Sequence, residues 1–142
     1  MGLAFSHGDS EWSYSSFMDF RIKLAAEIGV SLPCMEGFAQ DILYKNQYDK
    51  LVVYGLTDNK NKSLVNYCPV IKWSTVNDDI KTLLIHSDCN GALTIDECKS
   101  IAPRLRGLVA NWEPQDFHTL NALDLAAGME EAINNNEIFE FL

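Results

Sequence analysis

The chain has 142 residues, a length typical of a single domain, and its 20 acidic residues outnumber its 11 basic ones. The formal charge of −9 argues against nucleic-acid phosphate as the main partner, because phosphate-binding proteins cluster Lys and Arg and the basic residues here look scattered. No segment is apolar over the length that a membrane span requires. We therefore expect one soluble domain over residues 1–142 that binds a protein partner. We expect it to bind neither nucleic acid nor a membrane.

The cysteines at positions 34, 68, 89 and 98 form no CxxC pair and are too sparse for a disulfide scaffold. Residues 1–7 contain no basic segment and Asp9 and Glu11 follow soon after, which is not the pattern of a signal peptide. We expect reduced thiols and a location in the cytoplasm.

Hydrophobic spacing predicts two helices in the first third of the chain. The first follows the candidate caps Ser13–Ser16 and continues to Gly29, with apolar residues at helical spacing from Phe17 to Ile28. A second helix is predicted to start at Ser31-Leu32-Pro33, because proline is tolerated in a first turn, and to carry an apolar stripe to Ile42. Residues 51–67 contain two β-prone runs around a polar segment, which permits a small β-hairpin.

The second half predicts further helices. Asn77 is a candidate cap for a helix that runs into the segment 86–97, and Thr94 with Glu97 forms a capping-box pattern for the next helix. Pro103 predicts a break in that helix near Ala102. A long helix should run from Phe117 to about residue 133, and the apolar tail 138–142 should pack somewhere. The fold class is mainly α, or α+β if the hairpin forms.

The segment from His86 to Glu97 nearly matches the twelve-residue calcium loop of an EF-hand, with Gly91 at the sixth position. The candidate metal ligands are Asp88, Asn90, the Ala92 carbonyl, Thr94 and Glu97. The first position, which should supply oxygen, is His86, whose nitrogen is a poor ligand for a hard cation. With two carboxylates in the set, we expect an affinity for Ca²⁺ in the weak class, about 10⁻⁴ to 10⁻³ M.

Three other interpretations use the same segment. It could be a purely structural connection, in which Asp88 or Asn90 closes an Asx turn and the capping box starts the exit helix. A zinc site could draw on His86 and Cys89, with His7, Asp9 or Cys98, although a second close ligand pair is missing. Nucleophilic catalysis by Cys89 is disfavoured, because adjacent residues in a tight loop point in diverging directions.

Motifs across most of the chain resemble an uncharacterised family of small bacterial and phage proteins. Those motifs are the Tyr14–Arg21 helix start, the His86–Gly91 loop, Ala102–Leu105, and the segment Leu125–Glu130 with the apolar end Phe139–Leu142. This chain departs from the family's His-Ser-Asp-Cys-Asp-Gly loop at Asn90, which removes one negative ligand. The resemblance implies a shared fold, and it implies that histidine is the family's usual residue at the first loop position. It implies no particular activity for this chain.

The composition and the loop together favour a non-enzymatic binding protein, with the EF-hand-like loop as a weak Ca²⁺ site. The alternative is a phage accessory protein of the anti-defence type, which would dock its acidic surface on a host protein. Both alternatives predict a protein in the bacterial cytoplasm. They differ in whether the loop or the acidic surface carries the function.

Overall fold

The computed structural model describes residues 2–38, 71–88 and 90–142. The fold is mainly helical with a little β structure, as the sequence predicts. The hairpin predicted over residues 51–67 lies outside the described residues. Within those residues, no helix combines the length and the apolar content that crossing a membrane requires.

The elements follow one another in short segments. Over residues 2–38, 71–88 and 90–142 they are, in chain order, β1 (Gly2–Leu3), β2 (Trp12–Ser13), α1 (Tyr14–Glu27), two 3₁₀ turns (Leu32–Cys34 and Trp73–Thr75), α2 (Lys81–Ile85), β3 (Ala92–Leu93), α3 (Ile95–Val109), α4 (Phe117–Asn135) and β4 (Phe139–Glu140). Strand β1 pairs antiparallel with β2, and β3 pairs antiparallel with β4.

The chain divides into two compact units, and each is described by itself. The terminal unit contains Met1–Phe20 and Asp78–Leu142, and the central unit contains Arg21–Asn77. Helix α1 begins in the terminal unit and ends in the central unit. The expectation of a single domain over 1–142 stays a prediction.

The core of the terminal unit is built on the contact between α3 and α4. The buried face of α3 presents Cys98, Ile101, Ala102, Leu105, Leu108 and Val109, and that of α4 presents Ala122, Leu125, Ala126, Met129 and Ala132. An aromatic cluster forms around Trp12, whose ring centroid lies 4.6 Å from that of Phe20. Trp12 is therefore a core residue, and not an exposed binding platform.

The two ends of the chain are joined by backbone hydrogen bonds. The amide of Ser6 donates to the carbonyl of Glu140 at 3.0 Å, and the amide of Leu142 donates to the carbonyl of Ala4 at 2.9 Å. The aromatic rings of Phe5, Phe139 and Phe141 pack together between these bonds. The apolar tail thus packs against the amino-terminal segment, as its composition requires.

A close approach between two glycines holds the amino-terminal segment on α4. Gly8 has φ of +80°, and a Cβ added there would lie 2.9 Å from the Cα of Gly128. A Cβ on Gly128 would collide with the backbone carbonyl of His7. Both positions therefore require glycine, one for its conformation and both for space.

The described part of the central unit is held by polar contacts to Trp73. The backbone N–H of Trp73 donates to Glu36 Oε1 at 2.7 Å, and its indole Nε1 donates to the Glu36 carbonyl at 3.0 Å. The Arg21 guanidinium lies 5.5 Å from the centroid of the Phe38 ring. Cys34 is disulfide-bonded. The expectation of reduced thiols is therefore wrong for Cys34, whereas Cys98 is a buried free thiol.

The helix predicted from residue 31 is wrong over its described part. Only a 3₁₀ turn forms at Leu32–Cys34, and Met35 is extended with φ of −85° and ψ of 149°. Residues 34 and 35 instead pair with Ile71: its amide donates to the Cys34 carbonyl at 2.8 Å, beside a parallel bridge from Met35. A long-range backbone pairing has overridden the local helical pattern.

The break predicted at Pro103 is also wrong, because α3 is continuous from Ile95 to Val109. Proline cannot donate to the carbonyl of Lys99, which precedes it by one turn. Both residues are exposed, so water can satisfy that carbonyl. The missing hydrogen bond therefore lies on the solvent-exposed side of α3, and the buried side of the helix is continuous.

Candidate functional site

The loop between α2 and α3 is organised by the ring of His86. The residue ends α2 in an extended conformation. Its Nδ1 lies 2.9 Å from the Ser87 carbonyl oxygen, and its Nε2 lies 3.2 Å from that of Ala92. Both oxygens can only accept hydrogen bonds, so each of these contacts is a hydrogen bond only when the facing ring nitrogen carries a proton.

The same ring stacks on Phe141 from the carboxyl-terminal tail. Their centroids are 3.9 Å apart and the planes are inclined by 22°. Beside this stack, the Phe141 amide donates to the Gly91 carbonyl at 2.9 Å, and β3 pairs with β4 through Leu93 and Phe139. The loop is therefore fastened to the tail by a ring stack and by a short antiparallel ladder.

Gly91 has a conformational and a steric role in this arrangement. Its φ is +100°, which L side chains rarely adopt, and a Cβ would lie 3.1 Å from His86 Cε1. The glycine that the calcium-loop pattern requires is thus also the glycine that makes room for the histidine. The histidine and the glycine are spatial neighbours, which explains why they can belong to one motif.

The exit from the loop is a complete capping box. Thr94 Oγ1 accepts from the Glu97 amide at 3.1 Å, and Glu97 Oε1 accepts from the Thr94 amide at 2.8 Å. These bonds satisfy two backbone donors at the start of α3, as the sequence predicts. The carboxylate that would be the bidentate calcium ligand is therefore engaged in a helix cap.

Two of the candidate ligands make contacts within the loop itself. The Ala92 carbonyl faces His86 and the Glu97 carboxylate faces Thr94. Asn90 and Thr94 are exposed, and Asp88 is half-buried. Among the described residues, no group of three or more His, Cys, Asp or Glu side chains could hold a metal ion. A bound Ca²⁺ would have to displace the contacts of both Ala92 and Glu97.

The described part of the zinc alternative is also dispersed. His7 lies 3.3 Å from Glu137 and its ring stacks near Phe139. Cys98 is fully buried, and burial together with the charge of Glu97 raises the pKa of its thiol to about 11. Such a thiol is a poor source of the thiolate that zinc or a nucleophilic mechanism needs. Cys89 lies outside the described residues.

A strongly uneven charge distribution is the second candidate feature. The terminal unit contains fifteen Asp and Glu against four Lys and Arg, a formal charge of −11, whereas the central unit carries +2. Residues 107–142 contain seven acidic residues and no Lys or Arg. Two arginines of the terminal unit form ion pairs: Arg104 with Asp78 and Arg106 with Glu130, each at 2.7 Å.

The arginine pairs affect their carboxylates directly. Hydrogen bonds from Arg104 hold the pKa of Asp78 below its ordinary value, and hydrogen bonds from Arg106 do the same for the pKa of Glu130. Of the exposed acidic residues, Glu11, Glu113 and Asp124 flank the start of α4, where Phe117 and Leu120 are also exposed. The sequence-based interpretation treated the basic residues as scattered, and it missed this segregation because it counted charge over the whole chain.

No protein-family model matches the chain, and no curated protein or solved structure is significantly similar to it. The resemblance to a bacterial and phage family therefore stays a prediction. The function has to be argued from the loop and from the acidic surface.

Proposed function

We propose that this is a non-enzymatic interaction protein that docks the acidic surface of its terminal unit on a basic protein surface. The charge of −11 on that unit is the observation that supports the proposal. Such a field attracts a basic partner, accelerates encounter and repels nucleic acid and anionic lipid. The loop around His86 has a structural role in this proposal, because it fastens the tail residues that carry part of the acidic sequence.

From the motif resemblance we further propose that the protein acts in a bacterium or its phage, as an accessory protein of the anti-defence type directed at a host protein. A cytoplasmic location is part of that proposal. The disulfide at Cys34 is an argument for a more oxidising compartment, because cytoplasmic thiols are normally kept reduced. Mass spectrometry of alkylated protein from the native cell, without reductant, distinguishes the two locations.

Capture from a bacterial lysate by the immobilised protein tests the docking proposal. We expect a captured protein that is released as salt is raised and is lost with the double substitution Asp124→Lys/Glu131→Lys, since both residues are exposed in the terminal unit. The matched control, Asp124→Glu/Glu131→Asp, keeps the charge and should keep the partner. Capture of nothing, or of proteins that are indifferent to salt and to the reversal, would contradict the proposal.

Weak Ca²⁺ binding is the second candidate, favoured by the positive φ of Gly91 at the sixth loop position. The informative variant is Glu97→Gln, because glutamine retains the capping-box hydrogen bond but removes the charged bidentate ligand. We expect millimolar Ca²⁺ to raise the melting temperature of the wild-type protein and to leave that of Glu97→Gln unchanged. Equal melting temperatures of the wild type with and without Ca²⁺ would eliminate the ion.

A further inference from the structure

The start of α4 exposes two large apolar side chains side by side. Phe117 is 53% exposed and Leu120 is 47% exposed, and their spacing of three residues places them on one face of the helix. Asp124 continues the same face one turn further and is exposed. A single exposed apolar residue is ordinary, but an aromatic and an aliphatic neighbour on one helical stripe form a surface that a partner can bury.

This pair is supported by a rigid aromatic base. The Phe117 ring meets the buried Trp12 ring edge to face, with centroids 5.7 Å apart. The Trp12 indole donates to Ser10 Oγ at 2.7 Å, and Ser10 Oγ donates to the Asn121 carbonyl on α4 at 3.1 Å. Asn121 Nδ2 also donates to the Glu11 carbonyl at 3.1 Å, which fixes the segment Ser10–Trp12 on α4. A pre-organised surface loses little entropy when it binds.

A groove lies next to this base. It has a volume of about 470 Å³ and is lined by Gly2, Leu3, Ala4, Glu11, Trp12 and Ser13. Leu3 and Trp12 are almost completely buried, whereas Glu11 is exposed. Trp12 lines the groove and its ring also contacts Phe117. We call the surface made by Glu11, Glu113, Phe117, Leu120 and Asp124 the α4 face.

The charge around the α4 face has one sign. Neither residues 2–20 nor residues 107–142 contain a Lys or Arg, so every charged side chain that these segments supply to the face is acidic, apart from any protonated histidine. A ligand that complements an apolar centre with an acidic rim has apolar anchors flanked by Lys or Arg. An anionic membrane, a nucleic acid and the terminal unit of a second copy all present the wrong charge.

We infer that the α4 face binds a basic amphipathic helix of a partner protein, with Phe117 and Leu120 against its apolar stripe and with Glu11, Glu113 and Asp124 opposite its Lys and Arg residues. This inference rests on the proposed function and specifies where on the acidic unit the partner binds. An amphipathic helix presents anchors at i, i+3, i+4 and i+7, a spacing that matches the exposed stripe on α4.

Fluorescence anisotropy with a labelled peptide tests the inference. The probe is a synthetic peptide of about 14 residues in which leucines at helical spacing alternate with lysines, and the control probe is the same composition scrambled to remove the stripe. We expect the amphipathic peptide to bind more tightly than the scrambled one. The double variant Phe117→Ser/Leu120→Ser should weaken binding of the amphipathic peptide about tenfold or more.

The matched control is Ile138→Ser/Leu142→Ser, which removes two other exposed apolar side chains of the same unit and should change the affinity less than about twofold. Because Phe117 also contacts Trp12, Leu120→Ser alone serves as a variant that leaves the aromatic base intact. It should weaken binding on its own by about threefold or more. Thermal melts verify that each variant is folded.

Four results would overturn the inference. The first is equal affinity of the wild type and both α4-face variants for the peptide, and the second is equal affinity for the amphipathic and scrambled probes. The third is flotation with phosphatidylglycerol vesicles that depends on Phe117 and Leu120, which would make the face a membrane surface. The fourth is a sedimentation-detected dimer lost in the double variant. If lysate capture still depends on salt and on the single reversal Glu131→Lys, which lies outside the α4 face, in any of these cases, the proposed function stands and only the location of docking is wrong.

Discussion

At the scale of single residues, His86 shows why the histidine is compatible with a loop that otherwise resembles a calcium site. Its ring lies between two carbonyl oxygens and is stacked on Phe141. It also lies close to Gly91, where a Cβ would crowd the ring. An aspartate at this position could not provide the stack. His86, which departs from the calcium-loop pattern, is therefore the residue that joins the loop to the carboxyl-terminal tail.

Asp78 provides a pH-dependent test at the same scale. Arg104 donates to Asp78 through Nε and Nη2, and these bonds lower the pKa of Asp78 from 3.8. A carboxylate with a depressed folded-state pKa contributes stability that is fully present above its unfolded pKa and is lost as pH falls through the folded value. The contribution should therefore be fully present at pH 7 and should decline as the pH falls below the ordinary carboxyl value of about 4.

The variant Asp78→Asn isolates this effect, because the asparagine oxygen can still accept from the Ile80 amide as Asp78 Oδ1 does at 3.0 Å. We expect a lower free energy of unfolding than wild type at pH 7, in denaturant titrations, and a difference that shrinks as the pH is lowered from about 4. Arg104→Gln should produce the same loss, and the double variant should add little to it. A difference that is constant from pH 7 to pH 3 would contradict the assignment to this ion pair.

At the scale of elements, the contact of the His7-Gly8 segment with α4 depends on Gly128. A side chain there would collide with the His7 carbonyl and would approach the Phe139 ring at 3.1 Å. We expect Gly128→Ala to lower the free energy of unfolding by about 2 kcal/mol, because neither backbone can move without disturbing the tail. Chemical denaturation measures this directly.

Gly107 is the matched control, since it lies inside α3 and a Cβ there would meet nothing within 4 Å. Gly107→Ala should stabilise the protein by about 0.5–1 kcal/mol through helix propensity. If the two substitutions have the same effect, the close approach between His7 and Gly128 does not constrain the fold.

Local elements were predictable from sequence, whereas long-range contacts were not. The Thr94–Glu97 capping box and the Ser13 cap, whose Oγ accepts from the Ser16 amide at 3.1 Å, form within four residues and leave a direct pattern. The stack of His86 on Phe141 joins residues 55 positions apart, and no local pattern encodes it. The helix expected from residue 31 is wrong over residues 31–38 for the same reason, because Ile71 supplies a backbone partner from a distance.

At the scale of the whole molecule, the uneven charge distribution can be counted from the sequence. The net charge alone does not show it. A net value of −9 combines a terminal unit of −11 with a central unit of +2. Only the division into units shows which residues share the negative field. The location of the exposed pair Phe117 and Leu120 within that field required the structure, since apolar residues at helical spacing usually predict a buried face.

The salt dependence of affinity for the captured partner tests the central claim most directly. The dissociation constant is measured across a salt series for the wild type and for Asp124→Lys/Glu131→Lys. We expect the wild-type affinity to fall steeply with rising salt, and the reversed variant to bind more weakly at low salt with a much shallower dependence. Affinities that coincide for the two proteins at every salt concentration would show that the acidic surface of the terminal unit does not carry the interaction.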